Sequence, residues 1–195
     1  MTTLRPLPRE FYNRPTLMAA RDLLGARLVR VQDGLRLSGW ITETEAYIGE
    51  EDLACHARHG RTPRTAVMYG PPGHAYVYFT YGNHWMLNIV TEPEEKPCAV
   101  LIRAIQPVEG IEVMMERRGG RDTFGPGKLC QALGITGDLN GIDLTKRSEG
   151  LWIEPGAAVP ESRVTIGPRV GLNTTPEPWF SKPWRFLVKG WKIDP

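Results

Sequence analysis

The chain has 195 residues, with 24 lysines and arginines against 22 aspartates and glutamates and a formal net charge of +2. That length fits one domain, at roughly 100 to 200 residues per domain, and so small an excess of positive charge excludes polyanion binding by overall charge; any such contact has to come from local clustering. Cys55, Cys98 and Cys130 stand far apart with no CxxC pair, which argues against a zinc ribbon or a disulfide framework, and no run of about eighteen apolar residues offers a membrane span.

Arginine outnumbers lysine eighteen to six, a ratio that suits bidentate phosphate contacts and equally follows from a GC-rich genome. The opening MTTLRPLPREF lacks the apolar run of a signal peptide, so a soluble cytoplasmic protein is expected. NRPTLMAARDLLG predicts a short helix, with Asn13 or Thr16 as cap, Leu17, Ala20 and Leu24 on one stripe, and Gly25 ending it.

ARLVRV and LRLSGWITETEAY flank a QDG turn and predict a hairpin whose second arm is acidic. Alternation with period two puts Ile41, Glu43, Glu45 and Tyr47 on one face of that arm. Two carboxylates and a phenol pointing the same way make either a solvated face or the floor of a polar site. Directly downstream, HARHGRTPR places His56, His59, Arg58, Arg61 and Arg64 within nine residues. Three arginines at spacing three are expected to touch phosphates, the alternative being a structural turn at TPR.

AYVYFTYGNHWMLNIVTE predicts two β-rich arms around a Gly82-Asn83 turn, with Tyr81 at the tip. Tyr76 and Tyr78 share one face of the first arm and Val77 and Phe79 the other; in the second, Trp85, Leu87 and Ile89 oppose His84, Met86 and Asn88. CAVLIRAIQP is almost continuously apolar, as a central strand is, except for Arg103. A guanidinium buried there needs an anionic partner, and Glu43 or Glu45 is the nearest expectation. VEGIEVMMERRGG and GPGKLCQALGI predict helices, the second opening at Pro126 and closing at Gly134. Its start, with Gly125, Gly127 and Lys128, is either a phosphate cradle or a Gly-rich turn. LWIEPG, RVTIG and RFLVKG supply further strands, and the whole reads as one α+β domain spanning 1–195, with a curved antiparallel sheet, a protruding hairpin and surrounding helices.

ETEAY followed by DLACH, then GxxYVYxxYG with Asn88 six residues beyond, then VLIRAIxPVEG, GPGKLCQAL and a late RVG, together resemble the 3-methyladenine (alkyladenine) DNA glycosylase family from about Phe11 to Gly190. The resemblance implies a monofunctional, metal-free and cofactor-free base-excision-repair glycosylase acting on alkylated or deaminated purines in double-stranded DNA, expected as a monomer and nucleoid-associated if prokaryotic. It implies Glu45 as the general base that deprotonates the attacking water. Arg103 and the main-chain carbonyl of Val170 would hold that water and the flipped nucleotide. Tyr47, His56 and Tyr78 would sandwich the base, Asn88 would form the pocket floor, and Tyr81 would intercalate into the duplex. Asn83 and His84 depart from the bulkier tip residues of the family, and the short 117–125 connection and lack of an amino-terminal extension suggest a minimal version.

The chemistry is consistent with this, since a base must leave the stack before a protein can act on it, at an unstacking cost of about a few kcal/mol. Cationic alkylpurines also gain roughly 0.5 to 2 kcal/mol from aromatic faces. Two other classes remain open. One is a metal-dependent hydrolase using Glu45, Asp52, His56 and His59, although HARH is not a usual ligand spacing. The second is a non-enzymatic nucleic-acid-binding module, for which a carboxylate at Glu45 would be a liability beside phosphates.

Overall fold

The computed structural model describes residues 4–80 and 82–192. Asp33 and Gly34 both take positive φ, 52° and 75°, as a tight turn matching the twist of its flanking strands requires. Strand β1 (Arg27–Gln32) therefore folds straight back as β2 (Leu35–Ile48), in register from Gln32 opposite Leu35 to Arg27 opposite Trp40. Beyond Trp40 the same edge of β2 is taken over by another strand, β8 (Arg185–Val188), which pairs Glu43 to Glu45. The other edge is held from Ser38 to Ile48 by β5 (Cys98–Glu109). The acidic stretch is thus hydrogen-bonded on both sides, in the middle of the sheet rather than at a mobile rim.

The sheet has eight strands, all antiparallel to their neighbours, in the order β3 (Ala75–Thr80), β4 (His84–Thr91), β5, β2, β1, β6 (Leu151–Glu154); β7 (Val164–Gly167) joins through β8. Helices α1 (Arg9–Tyr12), α2 (Thr16–Asp22), α3 (Ile111–Arg118) and α4 (Pro126–Leu133) complete the α+β fold expected from the sequence. Ala19 and Ala20 of α2, Leu23 just after it, and Leu129, Cys130 and Leu133 of α4 pack with Ile41, Leu87, Ile89, Val100 and Ile102 in the main core on one face of the sheet. The opposite face carries a smaller cluster, Cys55, Ala57, Met68, Tyr69, Tyr76, Val90 and Ala99.

Two details of α2 and the acidic strand differ from expectation. No side chain caps α2; Pro15 precedes it, and the Thr16 hydroxyl is instead spent on Glu92 (2.6 Å), tying the helix to the loop after β4. Ile41 does not share a face with Glu43. The β2–β5 register slips between Ile41 and Glu43, leaving Thr42 as an extra residue, and slips back between Glu43 and Thr44, where Arg103 is the extra residue of β5. An inserted residue reverses the alternation. Ile41 therefore enters the main core with Ala46, while Glu43, Glu45 and Tyr47 face away from it. The paired irregularities also place Arg103 against the two carboxylates.

The β3–β4 hairpin leans on the chain at two glycines. A Cβ at Gly137 would stand 2.6 Å from the Trp85 ring, and one at Gly127 2.9 Å from the His84 ring. The Gly-rich start of α4 thus has a packing duty, admitting His84 against the helix backbone.

Candidate active site

Opposite the main core, a cavity of 310 Å³ opens between β2, β3, β4 and β5 on one side and the Ala54–His56 and Val170–Leu172 segments on the other. Strand alternation delivers its walls, because Tyr76 and Tyr78 on β3 and Met86 and Asn88 on β4 face it while Val77, Leu87 and Ile89 face the core. Four residues expected in one site, Tyr47, His56, Tyr78 and Asn88, do line this one cavity, as do Arg103 and Val170.

Glu45 lies just beneath the lining and is 0% exposed. Its Oε1 accepts the backbone N–H of Val170 at 2.7 Å, and its Oε2 accepts the Tyr47 hydroxyl at 2.9 Å and stands 3.3 Å from Arg103 Nη1. Glu43, likewise buried, has its Oε1 3.1 Å from Arg103 Nε and bound by Arg185. Two adjacent buried carboxylates are tolerable only because these guanidiniums lie between and beside them. Burial raises the Glu45 pKa above the ordinary carboxylate range; Arg103, then the Val170 N–H and the Tyr47 hydroxyl, oppose the rise, and Glu43 adds to it.

The aromatic walls hold one another. His56 Nδ1 is 2.9 Å from the Tyr76 hydroxyl, and its ring meets Tyr78 edge-on with centroids 4.5 Å apart. Burial, with Arg64 and Arg58 nearby, lowers the His56 pKa to about 4, so the imidazole is neutral at physiological pH. Burial likewise pushes the Cys55 thiol up to about 12, leaving an inert thiol in the wall. Asn88 Nδ2 donates to the carbonyl of Tyr76, its partner across the hairpin, at 3.2 Å.

The cations expected at phosphates have protein partners too. Arg61 pairs with Glu95 at 3.0 Å and Lys128 with Asp122 at 3.0 Å, all four side chains being well exposed. Arg58 donates to His59, and the Arg64 guanidinium lies 5.1 Å from the centre of the Tyr78 ring, at the cavity. Tyr81 lies outside the described residues. Among the described residues no group of three or more His, Cys, Asp and Glu converges as a metal site; Asp52 instead accepts Arg169 and the backbone amides of Ile48 and Ala54.

The sequence reading passed over Arg169 and Trp184. Arg169, 3% exposed, forms a two-pronged pair with Asp52 at 2.5 and 2.9 Å and lies between the Tyr47 and Trp184 rings, 4.7 and 4.9 Å from their centres. The available signal was its place in the RVG triplet directly before Val170.

A cavity lined by Tyr47, Tyr76, Tyr78 and a neutral His56, with the buried Glu45 carboxylate directly behind the lining, offers aromatic faces suited to a heterocycle. The family model described as methylpurine-DNA glycosylase (MPG) matches residues 10–192. Proteins named as candidate 3-methyladenine DNA glycosylases are similar over nearly the full length: one from Methanocella arvoryzae is 50% identical over 94% of this chain and 92% of its own. Another from Myxococcus xanthus is 50% identical over 94% and 90%, and a third from Chlorobaculum parvum 48% identical over 95% and 88%. The chain is therefore a DNA N-glycosylase, a hydrolase of DNA repair whose substrate is DNA. It belongs to the methylpurine-DNA glycosylase family.

Proposed function

We propose that the protein extrudes an alkylated or deaminated purine of the 3-methyladenine type from duplex DNA into the 310 Å³ cavity and hydrolyses its N-glycosidic bond with a water activated by Glu45. The observation that carries this reading is the environment of Glu45, a buried carboxylate behind the lining of an aromatic-walled cavity, whose three donors all come from lining residues and occupy three of about four lone-pair positions. One position is left to accept a water proton. As the water oxygen bonds to the anomeric carbon, the glycosidic bond breaks with its electron pair going to the purine, and the water proton passes to Glu45. A raised carboxylate pKa brings the base closer to the working pH, where proton transfer is most effective.

Tyr47 and Tyr78 supply faces for the base, and the neutral His56 ring does so without repelling a cationic purine. Tyr81 fills the gap left in the duplex. The test of this reading is release of a defined lesion from otherwise identical duplexes, in single turnover. Release of alkylated purine from the wild type is expected, with Tyr81→Ser slowing release from paired lesions more than from bulged ones, where extrusion costs less. Intact lesions after long incubation would refute the activity, and an equal Tyr81→Ser loss on both duplexes would refute the wedge.

Asn88 is assigned as the guard against guanine. It is 4% exposed and faces the cavity, where a short amide crowds the 2-amino group that guanine has and hypoxanthine lacks. Exclusion by crowding costs the proper substrate little when removed. Asn88→Ser is therefore expected to raise release of undamaged guanine while activity on 3-methyladenine stays within about tenfold, roughly 1.4 kcal/mol. Because the amide also donates to the Tyr76 carbonyl, melting temperature is measured in parallel. A destabilised variant with no gain on guanine would show that Asn88 serves only to tie the hairpin.

We further propose that Arg58, Arg61, Arg64 and Lys128 contact phosphates, with Glu95 and Asp122 releasing Arg61 and Lys128 on binding. Exposed pairs of this kind are worth about 0 to 1 kcal/mol, so the exchange is cheap. Arg61→Ala and Arg64→Ala should each reduce the log-log salt slope of DNA binding by about one. Slopes equal to that of the wild type would assign these arginines to the protein's own surface.

A further inference from the structure

We infer that Arg169, clamped by Asp52, is a positioning residue that holds both neutral hydrogen-bond donors of Glu45 in place. The inference rests on Glu45 being the base. Arg169 cannot itself meet DNA, being 3% exposed, and its pair with Asp52 has both side chains at 0%. Its contacts nevertheless converge on the carboxylate from two directions. One prong donates to the carbonyl of Ala46 at 3.0 Å, the residue between Glu45 and Tyr47. The guanidinium face lies 4.7 Å from the Tyr47 ring, and it is the Tyr47 hydroxyl that donates to Glu45 Oε2. Val170, the next residue along the chain, gives Glu45 Oε1 its backbone N–H.

The segment needs such an anchor. Positions 168 to 170 lie between β7 and β8 with no helix or strand of their own, so sheet hydrogen bonding does not fix the Val170 amide. Asp52 does so indirectly: with both carboxylate oxygens on Arg169 and with the amides of Ile48 and Ala54, it fastens the segment after β7 to the turn after β2. Trp184 closes the other side of the guanidinium at 4.9 Å, and the Trp179 carbonyl accepts a further N–H at 3.3 Å. A planar fork that makes two ion-pair contacts and stacks between rings at once is a task lysine cannot copy.

The charged and titratable groups around Glu45 are Glu43 and Tyr47 on β2, Arg103 on β5, Arg185 opposite it on β8, and Tyr78 and His56 across the cavity. None of them replaces the Val170 amide. Loosening that amide and the Tyr47 hydroxyl removes two influences that hold the Glu45 pKa down, so the deprotonated base should require a higher pH.

Two variants test this, Arg169→Lys and the neutral pair Asp52→Asn/Arg169→Gln, each assayed in single turnover across pH beside wild type and Glu45→Gln. We expect rates at pH 7 to fall roughly tenfold to a hundredfold, the scale of a misplaced catalytic group, and the acidic limb to move to higher pH, with part of the loss recovered there. The limb position does not depend on how much of a preparation is folded, so a poorly folding variant still reports. A limb at the wild-type pH, with amplitude lowered only in proportion to the folded fraction measured by circular dichroism, would overturn the inference. Should Glu45→Gln itself turn over at the wild-type rate, the assignment of Glu45 would fail, a result separable from an unshifted limb in the Arg169 variants when Glu45→Gln is slowed as expected.

Discussion

Glu45→Gln should bind lesion duplexes close to normally and release the base ~10² to 10⁴ times more slowly, the usual worth of a positioned acid or base. The amide keeps the size of the carboxylate and can still accept from the Val170 N–H, which stands 2.7 Å from Oε1. It cannot take a proton from water. Its NH₂ group would also meet the Tyr47 hydroxyl and Arg103, both donors toward Oε2 in the native protein, so a modest change in melting temperature is expected and has to be measured alongside.

The pH dependence follows from the same environment. Burial raises the Glu45 pKa, and a general base works only when deprotonated, so with Glu45 in the proposed role wild-type activity should fall on the acid side at a pH above the ordinary glutamate value of about 4.3. Glu45→Gln should lose that limb along with the rate. Wild-type turnover in Glu45→Gln, or an unchanged acidic limb in its residual activity, would assign the base elsewhere.

Arg103→Met should be the most destabilising of the site variants. Arg103 stands 3.1 Å from Glu43 and 3.3 Å from Glu45, carboxylates that are 2% and 0% exposed. Removing one partner of a buried ion pair costs about 3 to 5 kcal/mol because the remaining charge keeps its desolvation penalty. Arg185 still serves Glu43, so the lower end applies, about 3 kcal/mol, or roughly 6 to 12 °C of melting temperature for a domain of this size.

Removing Arg103 should also move the acidic limb upward, since it is the strongest of the influences that lower the Glu45 pKa. For stability the sign is set by the raised folded-state pKa. A carboxylate easier to protonate in the folded state costs stability at high pH and recovers it as pH falls through the folded pKa. The deficit of Arg103→Met relative to wild type should therefore be largest near neutral pH and shrink on acidification. A deficit constant across pH, with the limb unmoved, would mean that Arg103 acts by packing alone.

Much of the fold and site is written in short-range pattern. Asp33-Gly34 specifies its turn because few other residues accept positive φ at both positions. Tyr76, Tyr78, Met86 and Asn88 reach one cavity because side chains alternate along a strand and β3 pairs β4 without irregularity. ETEAY placed Glu45 beside Tyr47, and the interruption of an apolar strand by Arg103 called for a carboxylate partner, which both glutamates provide.

What the chain by itself left undecided depends on partners distant in sequence. Alternation predicts that Ile41 shares a face with Glu43; the register against β5 inserts Thr42 and sends Ile41 to the core instead. No local signal marks that slip, because register is a property of two strands. Asp52 and Arg169 are 117 positions apart, and nothing local to either names the other as its partner. Only folding brings them together, where desolvation makes an unpaired charge costly and their pairing obligatory, one residue before the Val170 amide that meets Glu45.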